Sequence, residues 1–185
     1  MKKILVTGGA GYIGSHTVVE LAAAGYEAII VDNFSNSSPE VLERLETITG
    51  VNIPFYKGSI SDKDLMNQIF EDNHIDAVIH LAAYKSIEES VREPLKYYEN
   101  NVSAGIALLE VMKEHKVEHI IFSSSATVYR MNHGLSLTGD LSTSAINPYG
   151  YTKLMMEQIL TDLALAHSDC SVTNLRYFNP IGAHE

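Results

Sequence analysis

Tyr149 and Lys153 stand four residues apart, just behind Asn147-Pro148, a dipeptide that signals a helix start. On a helix that spacing puts both side chains on one face. An ammonium beside a phenol stabilises the phenolate and draws its pKa from about 10 toward neutrality. Tyr149 could then take a proton from a hydroxyl group. Upstream, Ser123-Ser124-Ser125-Ala126-Thr127-Val128-Tyr129 closes an apolar run. A serine hydroxyl at a strand end can donate to a reacting oxygen, and spacing does not choose among the three. Taken alone, the pair would read as a phenol over an amine on a helix surface, and the serines as a polar strand end.

A second constellation changes that reading. Thr7-Gly8-Gly9-Ala10-Gly11-Tyr12-Ile13-Gly14 follows a short apolar run and leads into an apolar helical pattern. Gly8 and Gly11 permit a tight turn and close approach of a cofactor backbone, and Gly14 permits close packing. The helix amino terminus offers N–H groups to a pyrophosphate. Asp32 follows about 20 residues later at the end of a second strand pattern, where a carboxylate accepts from an adenosine ribose. It would repel a 2′-phosphate, and residues 33–38 contain no Arg or Lys to hold one, which favours NAD over NADP. With NAD in place, Tyr149 would take the hydroxyl proton while hydride leaves the same carbon.

The elements that must position these groups alternate along the chain. Strand patterns occupy residues 4–7, 28–31, 52–56, 77–80, 119–123 and 171–175, and helical patterns occupy 12–24, 39–49, 63–72, 94–114 and 148–167. This alternation predicts an α/β fold, a doubly wound parallel sheet with crossover helices. Gly25 falls where a left-handed cap would end the first helix, and Ser61 with Asp64 resembles a capping pair. Residues 130–146 are polar, rich in Ser and Thr, and read as a long loop beside the site.

Composition narrows the function classes. The 185 residues include 13 Lys plus Arg against 23 Asp plus Glu, a formal charge of −10, with 45% hydrophobic and 19% charged residues. That balance argues against nucleic-acid binding and for an ordinary globular core. The single Cys170 excludes an internal disulfide framework and suits a reducing, cytoplasmic compartment. The apolar run after Lys2 and Lys3 ends too early for a signal peptide, and no stretch reaches the roughly 20 apolar residues of a membrane span. The eight histidines lack ligand spacing, so no metal is expected.

On the glycine loop, Asp32-Asn33, Ser-Ser-Ser-Ala-Thr-Val-Tyr and Tyr149-Gly150-x-x-Lys153, the sequence resembles the extended short-chain dehydrogenase/reductases. More narrowly, it resembles the UDP-glucose 4-epimerases. His16 after Ile13-Gly14-Ser15, the run from Lys85 to Pro94, Tyr97-Tyr98-Glu99-Asn100-Asn101-Val102, and Arg176-Tyr177-Phe178-Asn179-Pro180-Ile181-Gly182-Ala183-His184 carry that likeness over nearly the whole chain. The resemblance implies a Rossmann-type NAD-binding fold and interconversion of UDP-glucose and UDP-galactose in galactose metabolism. Tyr149 would be the base at the sugar 4-hydroxyl, Lys153 would tune it and hold the nicotinamide ribose, and Ser125 would be the catalytic hydroxyl. Hydride would go to NAD and return to the other face of the keto sugar. Cofactor contacts are implied at Tyr12, Ile13, Asp32, Asn33, Phe34, Ser35, Asn36, Ser37, Ile60, Leu81, Ala82, Ala83, Tyr84, Lys85, Asn100 and Phe178. Tyr177 and Asn179, with Ser125 and Tyr149, would face the UDP-sugar.

Several positions depart from that pattern. Ser59 replaces an aspartate at the adenine, a change worth about 1 to 3 kcal/mol if nothing compensates. Ala104-Gly105 replaces Gly-Thr, Arg130 replaces Gly, and Ser136, Gly139 and Ser142 stand where Pro, Glu and Pro are usual. Residues 1–185 are expected to form the NAD-binding domain, ending at Glu185 before most of a substrate domain. A homodimer or a complementary C-terminal fragment would be the protein partner. Two other readings stand beside the epimerase: a catalytically silent NAD-binding fragment, and a nucleotide-sugar 4,6-dehydratase. The dehydratase calls for an acid where Ala126 and Thr127 stand.

Overall fold

The computed structural model describes residues 1–129, 138–139 and 141–184. Six strands form one parallel sheet: β1 (Lys3–Thr7), β2 (Glu27–Asp32), β3 (Phe55–Lys57), β4 (Ala77–His80), β5 (His119–Ser125) and β6 (Ser171–Tyr177). Their order is β3-β2-β1-β4-β5-β6, so the chain reverses direction across the sheet between β1 and β4. The connecting helices are α1 (Tyr12–Ala23), α2 (Glu40–Thr49), α3 (Lys63–Asn73), α4 (Ile87–Arg92), α5 (Pro94–Tyr98), α6 (Ala104–Glu114) and α7 (Pro148–Ala166). This is the doubly wound α/β arrangement that the alternation predicts.

Because successive strand residues point to opposite faces, the apolar runs feed two cores. Leu5, Ile29, Val78 and Phe122 pack with Ile69, Leu108, Met156 and Leu160 on one face. Ile4, Val6 and Ile30 pack with Val18 and Leu45 on the other. Burial on both faces explains why β1 and β2 read as continuous apolar runs.

The boundaries differ where tertiary pairing overrides local pattern. β3 shrinks from the expected 52–56 to Phe55–Lys57, because Pro54 has no N–H to donate and joins only through its carbonyl, which accepts from Ile30 N at 2.8 Å. β5 and β6 each run two residues beyond expectation, paired as far as Ser125 with Tyr177, so the serine run forms the paired last residues of β5. The cap of α3 is Asp62, which accepts from Leu65 N at 3.1 Å; the Ser61–Asp64 pairing is not formed. Asn147 caps α7 by accepting from Gly150 N at 2.8 Å, and Gly25 is left-handed at φ +80°.

Two features lay outside the expected elements. α4 opens on Ser86, whose hydroxyl accepts from Glu89 N at 3.2 Å. The helix expected over 94–114 is broken by a π-helical turn at Glu99–Ser103. Of the long-loop segment, Arg130 and Ser136 lie outside the described residues. Its end is tied down: Tyr129 bridges Thr143, Ser144 N donates to Val128 O at 2.8 Å, and Ala145 is buried.

Candidate active site

A cleft opens at the carboxyl ends of β1, β2 and β4, beside the point where strand order reverses. Its floor is the glycine loop. Gly8 is left-handed at φ +70°, and a Cβ there would sit 2.9 Å from the backbone of Ala82. A Cβ on Gly14 would lie 2.2 Å from the carbonyl oxygen of Gly8. The loop thus lets β1, β4 and the first turn of α1 approach at backbone distance. That turn, opened by Gly11, contains no acidic residue to offset its N–H dipoles.

Asp32 fastens this loop as well as edging the cleft. Its Oδ2 accepts from Ala10 N at 3.1 Å, and its Oδ1 from Phe34 N at 2.8 Å and Ser37 Oγ at 2.9 Å. A carboxylate has about four acceptor positions, so one remains for a ligand. Asn33, Ser35, Asn36 and Ser37 line the same wall, with Tyr12, Ile13, Ile60, Leu81, Ala82, Ala83, Tyr84, Lys85 and Asn100 around the rest. Ser59 lines it too, its hydroxyl 2.8 Å from that of Ser61.

Four expected contact residues, Phe34, Tyr177, Phe178 and Asn179, do not line the cleft. Phe34, at φ +57°, stacks on Phe55 with ring centres 5.0 Å apart instead of lining the cleft. Phe178 is 57% exposed, just past the end of β6 at Tyr177. Asn179 is exposed as well, and Tyr177 is half-buried. The segment beyond them is tied back by Tyr12, whose hydroxyl donates to Gly182 O at 2.7 Å.

The residues expected to carry the chemistry lie together beside this cleft. Lys153 is buried, and its Nζ donates to the carbonyl of Ser123, a cleft-lining residue, at 2.7 Å. It lies 6.0 Å from the ring centre of Tyr149. Tyr149 is also buried, and Ser125, whose Oγ accepts from Thr127 N at 3.2 Å, acts on its phenol. The electrostatics differ from the sequence expectation. Burial pushes the Tyr149 phenol up, with the Ser125 hydrogen bond pulling it back only in part. Burial pushes the Lys153 amine down to about 7. Desolvation of both groups outweighs their mutual effect across 6 Å.

Sequence reasoning missed the residues that hold this arrangement. Thr7 and His80 are register partners, with Thr7 Oγ1 and His80 Nδ1 2.7 Å apart. Thr7 Oγ1 already accepts from Leu81 N and Ala82 N at 3.2 Å, so its proton points to His80. Burial, aided by Lys153, holds His80 neutral with its pKa lowered to about 3. Asn101, in the π-helical turn, accepts from Tyr84 N and donates to Tyr84 O, both at 2.9 Å, and to Thr152 Oγ1 at 3.1 Å. Thr152 Oγ1 donates in turn to Tyr149 O at 2.7 Å. Only Glu157, one turn beyond Lys153 on the face of Tyr149, had a legible signal in its spacing.

Residues 4–185 match the family model of the NAD dependent epimerase/dehydratase family. The chain belongs to this family. Among its relatives, the UDP-glucose 4-epimerase of Bacillus subtilis (strain 168) is 53% identical over 181 residues, which are 98% of this chain and 53% of that protein. The UDP-glucose 4-epimerase of Neisseria meningitidis serogroup B is 53% identical over 186 residues, covering 100% of this chain and 55% of its own length. The chain spans about half the length of the curated relatives it matches. A crystal structure of the UDP-glucose 4-epimerase from Bifidobacterium longum, in complex with NAD+ and UDP, superposes with a TM-score of 0.97 at 50% identity. It is covered to 55% and this chain to 100%. In this epimerase/dehydratase chain the described residues contain no helix long and apolar enough to cross a membrane.

Proposed function

We propose that the chain is the dinucleotide-binding part of a sugar-nucleotide epimerase that interconverts UDP-glucose and UDP-galactose through a 4-keto sugar. One juxtaposition carries the reading: buried Tyr149, Lys153 and Ser125 stand beside a glycine-floored cleft edged by a carboxylate.

The cleft fits NAD by its own shape and charge. Gly8 and Gly14 leave no room for a side chain between loop, β4 and α1. The first turn of α1 suits a pyrophosphate, and the open acceptor position of Asp32 suits a ribose hydroxyl. Asn33, Ser35, Asn36 and Ser37 present no cation to a 2′-phosphate. Lys153, Lys85 and Asn100 would hold the nicotinamide half. Bound there, NAD supplies an acceptor and then a donor of hydride for the sugar C4.

The chain's own residues handle the proton. Tyr149 Oη takes it from the 4-hydroxyl, while the Ser125 hydroxyl donates to the oxygen that becomes the ketone. Lys153, with its pKa lowered to about 7, can hold or release a proton near neutral pH. Its ammonium form stabilises the phenolate that burial alone disfavours. Tyr149 returns the proton once the sugar presents its other face. Purified chain should bind NAD and convert UDP-galactose to UDP-glucose; a chain that binds NAD and gives no product contradicts the epimerase reading.

A second reading, NAD binding without turnover, is favoured by the exposure of Phe178, expected at the cofactor, and of Asn179, expected at the sugar. The same assay decides it, and a 4-keto-6-deoxy product would point to a dehydratase instead. Exposed apolar residues such as Leu95 and Leu165 support a protein partner, a homodimer or a complementary C-terminal segment, and the single Cys170 suits a cytoplasmic setting. Light-scattering mass in solution tests the dimer.

A further inference from the structure

We propose that Arg176 and Glu157 are a positioning pair that sets the strand end serving Tyr149 and Lys153. The proposal rests on the reading of the site given above. Glu157 is 5% exposed. One oxygen accepts from Ser124 Oγ and from Arg176 Nε at 2.9 Å, and the other from Arg176 Nη2 at 2.8 Å. Arg176 Nη1 donates to Tyr129 Oη at 2.6 Å and to Gly139 O at 3.2 Å, and its guanidinium lies 4.8 Å from the Tyr129 ring centre.

Ser124 is the link to chemistry. It lies between Ser123, whose carbonyl holds Lys153 Nζ, and Ser125, whose side chain draws the Tyr149 pKa down against burial. It is also the register partner of Arg176. The β5–β6 ladder, the guanidinium fork, the carboxylate and the Ser124 hydroxyl therefore close one ring around the middle of that tripeptide. A fork pairing of this kind fixes orientation as well as distance. Buried ion pairs add little net stability over apolar residues of similar size, so the consequence of this one is geometric. It restrains the carbonyl and the hydroxyl that flank Ser124.

The test is a triple variant of the full chain, Ser124→Ala with Glu157→Met and Arg176→Met, which removes the linked polar groups together. The readouts are the titration of Tyr149 by ¹³Cζ-tyrosine NMR, assigned with Tyr149→Phe, NAD affinity, and kcat and KM for UDP-galactose. The pair predicts a folded variant with native NAD affinity in which Tyr149 titrates at higher pH than in the native chain. It also predicts kcat about tenfold to a hundredfold lower at unchanged KM. Arg176→Lys, which keeps the charge without the fork, should recover part of the loss. A native Tyr149 titration with native kcat overturns the proposal. If the triple variant does not fold, Ser124→Ala alone decides, since it cuts the link and leaves the ion pair; an unmoved Tyr149 titration overturns the proposal there too. Absence of turnover in the native chain overturns the epimerase reading, and the Tyr149 titration still judges the pair.

Discussion

At Gly14 an added methyl group would meet the Gly8 carbonyl at 2.2 Å, and backbone cannot swing aside as a side chain can. Gly14→Ala is therefore expected to lose about 2 kcal/mol or more of stability and to weaken NAD binding, read by urea unfolding and NAD titration. Gly105 makes the contrast. A Cβ there meets the flexible tip of Met156, at 2.8 Å, and His80 Nε2 at an ordinary 3.9 Å, so Gly105→Ala in α6 should be neutral or stabilising by up to about 1 kcal/mol. Ser59 lines the cleft with a neutral hydroxyl; Ser59→Asp should tighten NAD about tenfold by calorimetric titration, and unchanged affinity would remove it from the adenine side. The glycines and Asp32 were legible because a strand–turn–helix fixes their spacing covalently. The Thr7–His80 bond was not, since it depends on the register of two strands 73 residues apart.

At the scale of elements, the π-helical turn at Glu99–Ser103 matters most. It carries Asn101, which satisfies both backbone groups of Tyr84 in the cleft wall and reaches Thr152 on α7. Asn101→Ala would leave those groups unpaired and is expected to cost about 2 to 4 kcal/mol in thermal or urea unfolding, with weaker NAD binding; a native midpoint would show the clamp to be dispensable. Apolar periodicity foretold a helix over 94–114 but not this turn, because one wider turn shifts the stripe too little to register in so short a window. The serine run ends β5 with Ser123 in the cleft lining, yet its pairing with β6 as far as Ser125 is something no local propensity reveals. The cap of α7 at Asn147 was legible, for Asn-Pro has a local mechanism.

For the molecule as a whole, the doubly wound sheet followed from alternating patterns, and the family match bears out the resemblance carried by the motifs. What the sequence withheld was burial, and burial governs the electrostatics. The unfolded chain holds the Lys153 proton up to its ordinary pKa of 10.5, whereas the folded chain releases it near 7. Between those values the unfolded state binds more protons, so this residue makes stability rise with pH from 7 toward 10.5 and leaves a full, constant penalty below 7. Lys153→Met should flatten that part of the slope and raise the unfolding midpoint at neutral pH; a slope equal to that of the native chain would contradict the buried amine. Proton transfer by Tyr149 beside a bound dinucleotide is the step on which the proposed reaction turns. NAD affinity and UDP-galactose turnover, measured side by side on the native chain and Tyr149→Phe, test it. Equal affinity with turnover lost in the variant is the expected result; equal turnover in the two proteins would rule out Tyr149 as the base.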